Sequence, residues 1–453
     1  MNDNNSDLKV ANKLIKDKTN NDSIENKRRL SKNRRRNAKI YPIYKMFSWD
    51  LLVFYSIEFL FYTITKKVTA SEILIINGLY LFFGIIMQIP AVAISDYIGK
   101  KKSIVFGNML NILFSVFLIF VPGVAGIILA DLAFSLGNSI KVISESNLLY
   151  DSVATKRGDS LYAKLDSMGG SLYYILDGVA SIAAGYLFNI SNYLPIIICL
   201  SFSIISTIIS LGFKDIYANE NKKSEKAILS STFKNYSNDL KECMGFIIKS
   251  RRMKAFIIFN IVFTGLIDIA DIYNGDLLVD IGINNEQFSI IFALIILIGG
   301  FSISLRKNIE KKFKNRTLSF LSLIFVLAMI IIGTISFNFK GNQAIIPIIL
   351  IMFVIMRISL SNWYILEYKY LKNFTKEEMR NKITFTYEFI GKIGVSVISI
   401  LGGLLLNIVN IEQAFLLVGL IGLILITLVL DYMRTRFGLK PNEYKNEDIN
   451  FDK

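Results

Sequence analysis

The sequence predicts an all-α membrane protein that crosses the bilayer twelve times. Three observations support this fold class: the composition, a series of twelve apolar runs, and an alternation of charge between their connections. The 453 residues are 53% apolar and only 19% charged, with a mean hydropathy of +0.47. Soluble domains average roughly 45–50% apolar and about 25% charged residues, so this chain lacks the polar surface of a soluble protein.

The apolar runs have the length of membrane-spanning helices, which need roughly 20 mainly apolar residues. Six runs precede a polar stretch at residues 214–254 and six follow it. The predicted spans are 44–65, 72–95, 103–122, 124–150, 167–188, 193–213, 255–275, 286–305, 317–338, 344–366, 383–406 and 413–433.

This grouping predicts two six-helix bundles at residues 44–213 and 255–433, with tails at 1–43 and 434–453. The connector 214–254 carries an amphipathic segment with helical spacing, formed by Phe233, Tyr236, Leu240, Met244, Phe246 and Ile247. That pattern favours an amphipathic helix on the membrane surface; an unstructured loop is the alternative.

Positive charge is concentrated in alternate connections. The connections on one side are rich in Lys and Arg, and those on the other side are nearly free of them, with Lys66, Lys67 and Lys340 as the exceptions. Because Lys and Arg accumulate in cytoplasmic loops, the pattern predicts a plasma-membrane protein with both termini in the cytoplasm.

The amino-terminal tail is the most basic segment, with 13 Lys/Arg and 5 Asp/Glu in residues 1–45. Such a tail can be a topology signal, or it can bind RNA or anionic lipid. The basic core has no interleaved aromatic residues and ends where the apolar runs begin. We therefore interpret it as a topology signal and expect no nucleic-acid partner.

The residue inventory excludes several classes of chemistry. The chain has no histidine and only two cysteines, Cys199 and Cys243, which are far apart in sequence. Histidine-dependent triads, imidazole metal ligands and paired-cysteine sites are thereby excluded. No phosphate-binding Gly-rich loop is evident, which disfavours an ATP-driven pump. We expect neither an enzyme, a metal nor a cofactor.

The connection after the second span reads Asp96-Tyr-Ile-Gly99-Lys100-Lys101. It resembles the signature loop of the major facilitator superfamily, Gly-x-Leu-Ala-Asp-Arg-x-Gly-Arg-Lys, which lies at the same place. Asp96, Gly99 and Lys101 match the family pattern, and Lys100 keeps the charge of its arginine. Glycine at this position permits a tight turn. The resemblance assigns these four residues to a gating loop.

Two further stretches are similar to a branch of that superfamily in which many members are efflux transporters. They are Gln88-Ile-Pro and the stretch from Glu145 to Ser152, and residues 309–314 weakly echo the signature loop in the second half. The resemblance implies two six-helix bundles around a central cavity that opens alternately to either side. We expect a monomer whose partners are the lipid bilayer, a small-molecule substrate and protons.

Charged residues inside the spans follow the same plan. Spans three, six, nine and twelve have none in their interiors, whereas spans one, four, seven and ten, which line the cavity in the superfamily, have at least one each. Spans five and eleven add Asp177, Glu388 and Lys392. Charges at this depth are costly and usually face a cavity. The candidate binding residues are Glu58 in span one, Lys141 and Glu145 in span four, Asp268 and Asp271 in span seven, and Arg357 in span ten.

Each candidate has an alternative role. Lys141 and Glu145 are four residues apart, so they can form an internal ion pair instead of a binding site. Glu58 has no cation at helical spacing, and with Asp268 and Asp271 it is a candidate for binding substrate or protons. Arg357 either neutralises one of these carboxylates or contacts an anionic substrate.

These features predict a secondary transporter that exports small amphipathic compounds in exchange for protons. Without histidine, proton coupling must use Asp and Glu. Proton-coupled uptake of a small metabolite is one alternative, and a non-transporting membrane sensor or scaffold that uses the basic tail is another. Unpaired carboxylates at mid-membrane favour transport, because a scaffold has no use for them.

Overall fold

The structure, a computed structural model, describes residues 28–153, 158–216, 238, 240–313, 316–375 and 380–437. The regular secondary structure in these ranges is entirely helical, and eleven of the described helices are long and apolar enough to cross a membrane. Phe233 and Tyr236 of the predicted connector helix lie outside the described residues.

The first group of helices comes from the amino-terminal half. Thr69 and Glu72 form a reciprocal capping box at the start of α3, and Gly99 alone separates α3 from α4. The helices are α1 at 28–48, the short α2 at Glu58–Leu60, which continues as a π-helix at Phe61–Thr65, α3 at Ala70–Ile98, α4 at Lys100–Phe120, α5 at Gly123–Val153, α6 at Gly158–Ile190 and α7 at Leu194–Leu211.

The second group comes from the carboxyl-terminal half. A short helix, α8 at 240–249, precedes it and buries Cys243 and Ile247. Ser250 caps the next helix by accepting a hydrogen bond from the Met253 amide. The helices are α9 at Arg251–Asp280, α10 at Asn285–Phe313, α11 at Thr317–Asn338, α12 at Ile346–Asn373, α13 at Arg380–Leu406 and α14 at Ile411–Phe437.

The first predicted span, 44–65, is not one continuous helix. The chain leaves helical geometry between residues 49 and 57, and Val53 has a positive φ of 73°. Leu52, Phe54 and Ile57 are nevertheless at most 1% exposed. Apolar composition predicts that such a segment is buried, but it does not determine the backbone conformation inside the core.

Two long helix pairs join the halves: α3 packs along α13, and α6 packs along α10. Within the first half, α4 packs on α5 and α7; within the second, α9 and α11 both pack on α14. The molecule is therefore two helical bundles with paired contacts between them.

We call the end of the bundles that carries the Lys/Arg-rich connections the basic end, and the other the opposite end. The bundles meet towards the opposite end through close contacts between serine and glycine. These contacts are Ser71 Oγ to Gly403 O at 2.7 Å, Ser396 Oγ to Gly78 O at 2.6 Å, and Gly185 N to Ser289 Oγ at 3.1 Å.

Two of the three lysines that break the charge pattern have local partners at the opposite end. Lys66 donates to the Val121 carbonyl at 2.7 Å, beyond the last residue of α4. Lys340 lies 2.6 Å from a Glu412 carboxylate oxygen and 3.7 Å from Asp280. The close contact with the Glu412 carboxylate raises the pKa of Lys340 above its usual value. These local roles account for Lys66 and Lys340 without changing the predicted topology.

Candidate functional site

A chamber lies between the two bundles. It consists of two adjacent cavities of about 410 and 470 Å³, which both contact Leu81 of α3 and Lys392 of α13. One extends between α9, α12 and α13, and the other between α3, α5 and α13. Spans four, seven and ten, the last as α12, therefore line the chamber.

Asp268 of α9 lines the chamber at the interface between the two bundles. Its carboxylate accepts a hydrogen bond from Asn77 Nδ2 of α3 at 2.8 Å and another from the Ser399 hydroxyl of α13. Asn77 belongs to the first bundle, whereas Asp268 and Ser399 belong to the second. The Asp268 side chain thus accepts a hydrogen bond across the interface between the bundles.

Asp271 lies one helical turn further along α9 and is attracted electrostatically to Arg357 of α12. The Arg357 side chain occupies space left by Gly299, where an added Cβ would lie 2.8 Å from Arg357 Cγ. Arg357 Nε is buried without a hydrogen-bond partner. Of the two roles predicted for Arg357, neutralising a carboxylate is consistent with its attraction to Asp271, and the unpaired Nε–H can still donate a hydrogen bond to an anionic group.

The part of the chamber between α12 and α13 contains two carboxylates and a lysine. The Tyr387 hydroxyl donates to Glu367 at 3.0 Å, and Glu388 is attracted to Lys392 one turn away on α13. The sequence analysis missed Glu367 because the predicted span ended at residue 366, whereas α12 continues to Asn373. An acidic residue next to the span was nevertheless visible in the sequence, because Glu367 is the first residue beyond the predicted span.

Glu58 lies in α2, and neither of these two cavities is lined by it. The Tyr62 hydroxyl interacts with its carboxyl group. Asp50 and Asp131 are its electrostatic neighbours. Glu58 is therefore part of an acidic group in the first bundle. A neutralising contact from Lys141 or Arg357 is not observed here.

Lys141 and Glu145 face the inside of the first bundle. The fully buried Lys141 ammonium donates to the Ser48 carbonyl at the end of α1, whereas Glu145 Oε2 is buried without a hydrogen-bond partner. The two side chains attract each other, and neither lines the two cavities. The predicted attraction between Lys141 and Glu145 is therefore electrostatic, and the direct contact of the ammonium is with the Ser48 carbonyl.

The signature loop contacts the end of α5. Gly99 has a φ of +86°, which favours glycine, and it allows α4 to begin directly after α3. Lys100 forms an ion pair with Asp151, so the two sequence stretches that carry the family resemblance meet. The Lys101 amide donates to Asp215 at 3.0 Å. The Asp96 side chain lies outside the described part of the chain.

The corresponding place in the second half has an ion pair of reversed order. Glu310 of α10 lies 2.8 Å from Lys369 of α12, as Lys100 of α4 pairs with Asp151 of α5. In the first bundle the residue near the signature loop is the cation, Lys100. In the second bundle the residue at the corresponding place is the anion, Glu310. This pair supports the weak echo of the signature at residues 309–314.

Solved structures of known proteins share this architecture. None of the curated protein sequences matches the chain. The fold is similar to that of the nucleoside transporter NupG, with a TM-score of 0.63, 12% identity, and coverage of 89% of this chain and 99% of that one. It is also similar to a POT family transporter in complex with 5-aminolevulinic acid, with a TM-score of 0.61, 14% identity, and coverage of 89% and 95%.

The sequence itself matches the family model described as Major Facilitator Superfamily over residues 46–366. This match covers most of the chain, from near the start of the broken first span into the last third of α12, and includes the signature loop. Together with the paired helical bundles, it identifies the protein as a multi-pass membrane protein of the transporter type. The chain belongs to the major facilitator superfamily.

Proposed function

We propose that this protein is a proton-coupled secondary transporter that exports small amphipathic compounds carrying a positive charge. In this proposal the basic end faces the cytoplasm, the protein acts as a monomer in the plasma membrane, and the tails 1–43 and 434–453 and the connector 214–254 are cytoplasmic. The bundles rock about their interface, so that the chamber opens to each side in turn. The export direction rests on the resemblance to the efflux branch.

The observation that carries the proposal is the position of Asp268. Its carboxylate lines the chamber and also accepts the Asn77 hydrogen bond from the other bundle. A proton on Asp268 removes its charge and turns one acceptor oxygen into a donor. Protonation therefore changes the contact between the bundles, and a substrate cation near Asp268 competes with that proton. The charge of Asp268, the presence of substrate in the chamber and the relative position of the two bundles are therefore linked.

The lining of the chamber supports a cationic, amphipathic substrate. Most of the charged side chains that line this cavity are acidic. They are Asp268, Glu367 and Glu388, and Lys392 is the one basic residue in the lining described. Tyr364, Tyr368 and Tyr387 lie beside these carboxylates, together with aliphatic side chains. Aromatic rings attract cations through their faces, and the apolar surface suits the rest of an amphipathic molecule.

The experiment is transport by the full-length protein in sealed vesicles with an imposed pH gradient. Labelled amphipathic cations are compared with neutral and anionic compounds of similar size. Gradient-driven movement of the cations is expected. The cations should move in the direction opposite to proton flow, as exchange requires. Movement of substrate together with protons would replace export by the uptake alternative, and no flux of any compound would favour the sensor or scaffold.

The test of Asp268 is the variant Asp268→Asn, with Asp431→Asn as the matched control. Asp431 is an exposed carboxylate near the end of α14, away from the chamber. Asp268→Asn should abolish accumulation driven by the pH gradient and keep exchange of labelled for unlabelled substrate. Accumulation at the parent rate in Asp268→Asn would refute its role in coupling.

A further inference from the structure

Helix α1 has two faces of different character. Its buried face consists of Asn37, Tyr41, Tyr44 and Ser48, which are at most 3% exposed and recur at helical spacing. Asn37 donates to Ser152 Oγ at 3.0 Å and to the Lys214 carbonyl at 2.8 Å. This face therefore attaches α1 to α5 and to the segment that follows α7.

The other face carries a row of exposed cations: Arg28, Lys32, Arg35, Arg36 and Lys39. Successive residues of a helix are about 100° apart, which places this row on the side opposite the buried face. None of the five takes part in an ion pair among the described residues. The row is about 16 Å long at a rise of about 1.5 Å per residue.

The row ends beside an exposed apolar side chain. Ile43 lies one turn beyond Lys39, on the same side of α1, and is 52% exposed. Directly after it, the chain enters the predicted first span. The long stems of Lys and Arg can lie along apolar surface while their charges reach the headgroups. The cations are therefore next to the boundary between hydrocarbon and water.

We propose that this row, Arg28 to Lys39 on the exposed face of α1, is a binding surface for anionic phospholipid headgroups. The charge of the row complements such headgroups, and its continuity with Ile43 places it at their level. RNA is the less favoured occupant because the row contains no aromatic side chain on which bases could stack. The proposal does not depend on what the protein transports.

The test uses the full-length protein in phosphatidylcholine bilayers that contain spin-labelled phosphatidylglycerol. The fraction of immobilised label measures the preference of the protein surface for the anionic lipid. The test variant combines Arg28→Gln, Lys32→Gln, Arg35→Gln, Arg36→Gln and Lys39→Gln. A basic residue near an anionic surface contributes about 1 kcal/mol, so each removed charge should lower the association constant by up to about fivefold at low salt.

The matched control removes the same number of charges elsewhere at the basic end. It combines Lys102→Gln, Lys241→Gln, Lys249→Gln, Lys311→Gln and Lys312→Gln, which are all exposed but do not form one row. The control should keep most of the parent's preference, and high salt should reduce that preference in the parent. Thermal unfolding in pure phosphatidylcholine checks that the variants are folded.

Three outcomes would overturn the proposal. The first is an unchanged lipid preference in the folded test variant. The second is an equal loss in the control, which would assign the effect to total charge and not to α1. The third is found with a labelled RNA oligonucleotide: binding that depends on the row, without any preference for phosphatidylglycerol, would assign the surface to nucleic acid.

Discussion

At the scale of single residues, Glu58 combines a membrane location with an acidic neighbourhood. An ionised carboxylate at mid-membrane costs about 2.5 kcal/mol or more, and Asp50 and Asp131 add repulsion. The interaction with the Tyr62 hydroxyl offsets part of this cost. A proton or a bound cation would offset the rest, so the charge of Glu58 is expected to follow the occupancy of the transport pathway.

We therefore predict that Glu58→Gln abolishes movement driven by the pH gradient but leaves folding and substrate exchange intact. Glutamine keeps the shape of the side chain and removes its titration. Vesicle transport with and without the gradient is the measurement, and Glu242→Gln on the exposed surface of α8 is the control. Gradient-driven transport at the parent level would remove Glu58 from the coupling scheme and leave Asp268 and Asp271.

The second residue-scale prediction concerns Arg357 and Asp271. Because the two attract each other, Arg357→Gln should lower thermal stability more in the parent background than in the presence of Asp271→Asn. A coupling energy of about 0.5–3 kcal/mol is expected for residues in one charge network. A double-mutant cycle on thermal unfolding measures it. Strict additivity of the two changes would show that the residues act independently.

At the scale of helices, the closed opposite end depends on glycine at the contact points. A Cβ on Gly185 of α6 would lie 2.3 Å from Ser289 Oγ and 2.4 Å from the Asn285 carbonyl oxygen of α10. These distances are too short for any side chain. Separating α6 from α10 is the change that would relieve the overlap, and it would open this end of the molecule.

Gly185→Ala should therefore shift the protein towards a conformation that is open at the opposite end. Overpacking of this kind costs about 1–3 kcal/mol, which is enough to change the populations severalfold. The measurement is labelling of a cysteine at Thr264, in the chamber, by an impermeant reagent added on that side. Gly178→Ala is the control, since a Cβ there meets nothing within 4 Å. Equal labelling of the two variants would contradict the role of the contact.

The ion pair between α4 and α5 is a second element-scale device. Lys100 is 37% exposed and Asp151 is 17% exposed at the side chain, so the pair should contribute about 0.2–1 kcal/mol. We predict that Lys100→Asp impairs transport and that adding Asp151→Lys restores part of it. Rates in vesicles measure the effect. Absence of rescue by the reversed pair would show that the loop acts through other contacts, such as Asp96.

At the scale of the whole molecule, the charge asymmetry predicts the orientation in the membrane. Cysteines introduced one at a time at Asn342 and Ser224, after replacement of Cys199 and Cys243, should react with impermeant reagents from opposite sides. Asn342 should react from outside, because it follows α11 at the end that is poor in Lys and Arg. Labelling of both positions from the same side would contradict the twelve-span plan.

Local patterns in the sequence determined the membrane class, the number and order of the spans, the turn at Gly99 and the enrichment of charge in the cavity-lining helices. These properties depend on the hydropathy and spacing of residues that are near one another in the chain. The charges in spans four, seven and ten indicate helices that face a cavity, because a charge in lipid is costly wherever the helix lies, and α5, α9 and α12 do line the chamber.

Only the tertiary structure decided which of those charges meet. Asp268 approaches Asn77 and Ser399 from distant parts of the chain, Lys141 faces the end of α1 and not the chamber, and Glu367 joins the chamber because α12 extends past the apolar run. The break in the first span likewise depends on packing around Phe54 and Ile57. Contacts of this kind are set by how helices pack, and no local pattern records the distance between residues that are remote in sequence.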